Sequence, residues 1–529
     1  MRGALRSTHV SRHKTTMNPA TTAPRPAANP QRCPRVSRRI HARASRRAPV
    51  PIRASSRDDG ASPEPPARDE NSGGRETSRS GDANGDATPS LESEFARVLR
   101  EQTERATRAM ETRWTQGGLR PRVVHESTSD WIRRVAFDWP NAVMGTAAGS
   151  VLVCNCEELG GLEYRERARR LLARRKDAHS RDWRAVEDRG LGERSLLGLY
   201  DAGAVTAVAI AGDLVASGGR DGKLRAWRIP PGADVDSPGH PRDGERLMCV
   251  GAAEHPEVVT GAEFDVAGGC VWTSCLDGKI RRWGLGGNDE DANDETDDED
   301  DTKTLELLGE WSVGQAALCL SLDPNARVLY AGTADGGAVA MDAGSLNAND
   351  DGDGDDAGSS SSSSSSSSIG ATLGAWTAHE DGVTRSVSHA RGGCLTGSST
   401  GAVYAWRVDR REGASCVSPS LAAKMIGHAA AVVSISTGNP RHVVSGAHDG
   451  TVRVWNAPDL LAADEDGEER GDAAGGGDVK KSECLYAVTG HTVWLGSVQA
   501  DETRIVCDGA NNIAMCYDFS DDPDDNGDI

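Results

Sequence analysis

A chain of 529 residues with a formal net charge of −20 has room for several domains. It contains no run near the ~18 uninterrupted apolar residues that a membrane-spanning helix needs. The charge is uneven: residues 1–57 hold 13 Arg and one Lys with no acid, so the remainder carries −34.

Twelve Cys include no CxxC pair and no companion His spacing, which excludes a zinc site of the usual kind. Most lie in apolar, strand-like runs (Cys249, Cys270, Cys394, Cys507), where a buried thiol is the ordinary state and a reducing compartment the natural setting. No metal and no cofactor is expected.

In chain order, residues 1–57 are rich in Arg, Ser, Thr, Ala and Pro and acid-free, the pattern of an organelle transit peptide. The run Val50-Pro51-Ile52-Arg53-Ala54-Ser55 looks like a plastid processing site, so the expected location is the chloroplast. A mitochondrion comes next, or the nucleus or cytosol if this segment is only a basic arm. Residues 58–90 have almost no apolar content and read as a disordered linker. Over 91–118 a helical pattern appears, with Leu91, Phe95, Val98-Leu99, Met110 and Trp114 among Glu, Arg and Gln. This helix is expected to pack on the domain C-terminal to it.

From about residue 119 onward a hairpin recurs in several copies. Val443–Trp455 (VVSGAHDGTVRVW) places β-branched and aromatic residues around an Asp-Gly turn, whose Gly tolerates the positive φ such turns need. Ser217–Trp227 and Thr273–Trp283 are clear copies. Gly145–Cys154 is a weak one. Ala331–Met341 keeps the turn and loses the Trp; Thr396–Trp406 keeps the Trp and has Thr400 for Asp. Cys507–Tyr517 is the seventh, with Asn511 and Tyr517 as substitutes.

Seven such copies resemble the WD-repeat family. The resemblance implies an all-β, seven-bladed β-propeller of four-stranded antiparallel blades over 119–519, with an acidic disordered tail at 520–529. The family also places a Gly-His upstream of each hairpin. Gly427-His428 and Gly490-His491 match; Ala378-His379 and Glu254-His255 match at His, and repeats one, two and four lack it. The implied structural tetrads are His428, Ser445, Asp449 and Trp455, and His255, Thr273, Asp277 and Trp283. In each, the Asp fixes the imidazole, the imidazole meets the hydroxyl, and the hydroxyl meets the indole N–H. Partial sets are Ser217, Asp221 and Trp227; His379, Thr396 and Trp406; and His491, Asn511 and Tyr517. A Ser/His/Asp set repeated beside a Trp is scaffold chemistry, so no enzyme is expected.

The Trp-position residues are spaced 73, 56, 58, 65, 49 and 62 apart, against a usual ~40–45 for this repeat. The excess is expected after the Trp-position strand and before the next outer strand, as inserts at 157–195, 230–245, 286–304, 344–370, 408–420 and 458–482, all leaving from one face. The first reads as a basic helical segment: Arg165–Arg184 holds nine Arg or Lys against three acids, with Arg169, Arg170, Arg174, Arg175 and Lys176 as a ridge. The runs 289–301, 349–356, 464–472 and 521–528 are acidic, and ten serines fill 359–368. These are solvated filler, or an acidic fringe that attracts basic partners. Since only a tail comes after the seventh repeat, its missing outer strand should come from Val123 and Val124, just ahead of the first.

The leading functional expectation is a non-enzymatic scaffold binding other proteins or peptides in an organelle complex. RNA association through the Arg165–Arg184 ridge is a second, and a ubiquitin-ligase substrate adaptor a third.

Overall fold

The computed structural model describes residues 91–117, 120–127, 130–156, 171–175, 178–179, 204–230, 247–286, 303–344, 369–410, 416–439, 441–456, 479–491, 495–510 and 512–520. Residues 1–90, and with them the transit-like segment and linker, lie outside it, as do the acidic runs and the serine tract. A helix, Leu91–Gln116, precedes seven sheets, each built on four antiparallel strands. Six are blades built in chain order, beginning at Ile132–Asp138, Val205–Ala211, Val259–Asp265, Ala317–Asp323, Thr384–Ala390 and Val432–Asn439.

The hairpins form where the sequence puts a residue that tolerates positive φ. Gly222, Gly278 and Gly450 take φ of 75°, 78° and 73° at the Asp-Gly turns; in the seventh copy Asn512 does so at 67°. The register then aligns the Trp-position residue with the start of the preceding strand, as in Val443↔Trp455 and Val215↔Trp227. Alternate side chains enter the cores between blades. Val143, Val153, Val205, Val215 and Trp227 fill one such core, and Leu395, Val403, Ile435, Val443 and Trp455 another.

The seventh sheet closes the ring. Its order runs from Val498–Ala500 through Arg504–Ala510 and Ile513–Asp518 to Arg120–Glu126. Val123 pairs with Met515, and Val124, at a bulge, is buried in the core. The helix docks beside this junction through its last turns. Trp114 is fully buried, stacked on Phe519 (3.9 Å between centroids) and His442 (5.2 Å), and its Nε1 donates to the Glu502 carbonyl at 2.9 Å. Arg113 donates to the Phe519 carbonyl and Glu111 pairs with Arg441.

A polar side chain also joins each neighbouring pair of blades along the inner strands. Arg134 Nε donates to the Thr206 carbonyl (2.7 Å), Thr206 to Val259 (2.5 Å), and Thr260 to Ala317 (2.7 Å). Ser321 Oγ accepts from the His389 N–H, Ser386 donates to Val432, Ser434 to Val498, and Ser497 to Val135. These are buried or half-buried bonds at every junction of the ring, so each polar group is satisfied by the neighbouring blade.

The two ends of the ring differ. At one, the connections between blades meet the Asp-Gly turns: His255 N donates to the Gly222 carbonyl, and His448 N to Ala431. This is the tetrad face. At the other, the ends of the Trp-position strands meet the turns of the first hairpins: Ile229 N to Asp213, Leu285 N to Gly269, Phe519 N to Thr503. The chain departs into its insertions after the Trp-position strands from this second end, the insertion face; residues 176–204, which come after the outer strand of blade one, leave from the tetrad face.

Three expectations need correction. The basic segment read as helical contains a strand: Leu171–Arg175 is the outer strand of blade one, paired with Val151–Asn155. Edge pairing against a preformed sheet outweighs its helix-like Arg and Leu spacing. The excess of blade one also does not fall wholly before its outer strand, since 176–204 comes after that strand. Finally, 408–420 is mostly strand: Ala402–Arg410 and Val417–Ile426 pair from Ala402↔Ile426 to Arg410↔Val417. Two insertions reach back to the preceding blade as they return. Lys480–Lys481 adds a fifth, parallel strand to blade five, and Thr304 bridges Ala252 on blade two.

Candidate functional site

The first candidate group is the set of buried His, hydroxyl and Asp clusters on the tetrad face. In blade six, His428 Nδ1 lies 3.1 Å from Asp449 Oδ2 and Nε2 lies 2.7 Å from Ser445 Oγ, which accepts Trp455 Nε1–H at 2.8 Å. Burial pushes the His428 pKa down. Burial works against the Asp449 carboxylate, but hydrogen bonds from His428, Thr451 and the Ala429 N–H outweigh it and hold the pKa below the usual range.

Blade two holds an equally complete set, completed by a residue the sequence reading missed. His179 Nδ1 is 2.8 Å from Asp221 Oδ1 and Nε2 is 3.0 Å from Ser217 Oγ, which accepts from Trp227 Nε1 at 2.8 Å. Repeat two therefore does have its His. The signal was the pair Ala178-His179, matching Ala378-His379, hidden because it precedes its strand by 25 residues.

Blade three departs from the implied wiring. His255 Nε2 meets Thr273 Oγ1 (2.9 Å), which accepts from Trp283 (3.0 Å), while Asp277 accepts from Arg281 at 2.6 Å. That guanidinium also reaches Glu310. In blade five Trp406 donates to Thr396 (3.0 Å), and His379 stacks on Tyr404 at 4.6 Å. In blade seven Tyr517 Oη and His491 Nε2 are 3.4 Å apart; Asn511 lies outside the described residues. Blade four lacks both His and Trp and is tied to blade three instead. Arg327 donates to both Asp265 oxygens (2.7 and 2.6 Å) and to the carbonyls of Gly344 and Ala343.

Chemically these clusters are closed. In blades two and six the serine oxygen already receives an indole N–H and faces an imidazole, and all three groups are buried. No substrate atom can approach such an oxygen without breaking the core.

The second candidate is the central channel, a cavity of about 450 Å³ lined by the inner strands of all seven blades. Its charged residues are Arg134, Glu263 and Arg385, with His389 beside them. The basic ridge is not a third candidate. Arg174 and Arg175 are half-buried in the outer strand of blade one, with Arg175 over the Trp227 ring at 5.8 Å. Arg169, Arg170 and Lys176 lie outside the described residues. Among the described residues no cluster of His, Cys, Asp or Glu has the makings of a metal site.

The fold and the tetrads define a seven-bladed propeller with hydrogen-bonded blade locks. The family model described as WD domain, G-beta repeat, matches residues 420–456, from the end of one outer strand through the first three strands of blade six. Six further blades share the build of this one, and together they support a WD-repeat propeller. No curated protein matches the chain. Among solved structures, the crystal structure of the computationally designed Ika8 protein is similar at 15% identity, with 75% of this chain and 99% of that chain covered and a TM-score of 0.41.

Proposed function

We propose that this protein is a non-enzymatic scaffold that holds other proteins together in an organelle complex. The observation that carries the reading is the wiring of the His–Ser–Asp sets: each spends its hydroxyl on an indole inside a blade, so they fix shape and leave the faces of the ring for binding. A rigid ring with loop-built faces suits docking of peptides and protein surfaces.

The organelle part rests on the acid-free, Arg- and Ser-rich residues 1–57. Residues 1–60 fused to a fluorescent reporter are expected to enter plastids; residence in the nucleus or cytosol overturns that address and leaves the scaffold. The scaffold itself is tested by affinity purification of the tagged full chain at low and high salt, with and without nuclease. Proteins that stay bound at high salt and after nuclease support it. Partners lost on nuclease treatment would favour RNA association, a reading weakened here because Arg174 and Arg175 serve blade one.

A further inference from the structure

The central channel contains a carboxylate that the ring leaves unmatched. Glu263 is the fifth residue of the inner strand Val259–Asp265 and lines the cavity. Its side chain has no hydrogen bond or ion pair among the described residues, and burial alone pushes its pKa up to about 7. The corresponding register positions of other blades carry Ser321, Ser388, Ser436 and Gln499, neutral groups that bond within the ring. A carboxylate in such a layer costs folding free energy and closes no junction.

The other charges are arranged along the channel axis. By register, Arg134 lies two residues and Arg385 three residues nearer the tetrad face than Glu263, roughly 7 and 10 Å at about 3.3 Å per strand residue. Both repel a cation arriving from that side. At the other end the chain leaves the ring after Gly286 and returns at Lys303, spanning the acidic run 289–301, and the acidic tail begins after Ser520. With both guanidinium groups nearer the tetrad face, a cation is favoured to approach from the insertion face.

We propose that the channel takes a lysine or arginine side chain of a partner protein, entering from the insertion face, with Glu263 as its counter-ion. The proposal rests on the scaffold reading and specifies the partner: a basic segment with one long side chain able to extend along the axis. A guanidinium or ammonium supplies the charge-assisted hydrogen bonds that Glu263 lacks, and ion pairing restores the carboxylate to its charged form. Arg134 is unsuited to that part, because its Nε and Nη1 are held by the carbonyls of Thr206, Arg133 and Gly496.

Fluorescent seven-residue Gly/Ser peptides bearing one central Arg, Lys or neutral citrulline, titrated with the full chain, test this. The Arg and Lys peptides are expected to bind about tenfold or more tightly than the citrulline peptide at about pH 8, and to lose that advantage toward pH 6 as Glu263 takes up a proton. Of the other titratable groups lining the channel, burial pushes the His389 pKa below its ordinary value and the Cys319 thiol up to about 12. Glu263→Gln should abolish the discrimination and melt no lower than wild type; if it fails to fold, Glu263→Ser, matching the serines of its layer, takes its place.

Equal binding of Arg and citrulline peptides overturns the proposal, and so does undiminished discrimination in the Gln variant, since the acidic runs are intact in both proteins. Salt-resistant protein partners alongside equal peptide binding would sink the channel site and leave the scaffold standing.

Discussion

Removing the Asp449 carboxylate leaves the His428 Nδ1 and the Ala429 N–H to find new partners inside a closed turn. Asp449→Ala is therefore expected to cost about 1–3 kcal/mol, measured by denaturant unfolding. His179→Ala in blade two should cost a comparable amount, and an effect near zero would mean that blade two is held without its tetrad. Asp277→Ala reads differently, because it frees Arg281 more than His255, and Glu310 still holds that guanidinium. The sequence showed the hydroxyl, turn and Trp positions because they lie within one hairpin, at fixed spacing. It did not show His179, whose distance from its strand broke the pattern, nor the switch of Asp277 to Arg281, which depends on where a long side chain falls across the strand.

At the scale of elements, two joints carry the ring. Arg120–Glu126 closes blade seven by pairing with Ile513–Asp518. A chain starting at Ser127 should lose the cooperative calorimetric transition of the full protein, because it exposes an unpaired strand and half of a core. Wild-type-like melting of that chain would show that the closure is dispensable. The Arg327–Asp265 pair joins blades three and four across 62 residues of sequence, at the insertion-face end of a blade that has no tetrad. Arg327→Ala should cost about 3–5 kcal/mol in chemical unfolding, because it strands a buried carboxylate. The closing strand was legible from the arithmetic of strands. The outer strand at Leu171–Arg175 was not, because an Arg- and Leu-rich run fits a helix until a sheet edge is offered to it.

Across the whole molecule, two sets of buried titratable groups pull stability in opposite directions between about pH 4 and 7. Burial lowers His255, His379, His448 and His491 to about 4 from an ordinary 6.5. Their folded form is neutral, so their contribution is complete above about pH 6.5 and is lost as pH falls toward 4. Glu263 and Asp508 act in the opposite sense: burial raises both to about 7, so stability present below pH 4 is lost as pH rises through 7. With four such His against two acids, melting temperature should rise from about pH 4 to a plateau near pH 7, measured by circular dichroism. His379→Gln should make that rise shallower and Glu263→Gln should make it steeper; an unchanged profile in both would remove these groups from the balance.

Sequence alone determined the blade count, the hairpins and the strand that closes them, because alternation and turn chemistry act over a few residues and repeat. It also determined the charge layout, with a basic start and acidic runs after the Trp-position strands. Tertiary structure decided what depends on distance in space: the polar bond at each blade junction, the tetrad completed by His179, the clamp between Arg327 and Asp265, and the convergence of seven inner strands on one channel. A carboxylate such as Glu263 is an ordinary strand residue in the sequence. Only closure of the ring half-buries it against a cavity, with no side-chain partner among the described residues.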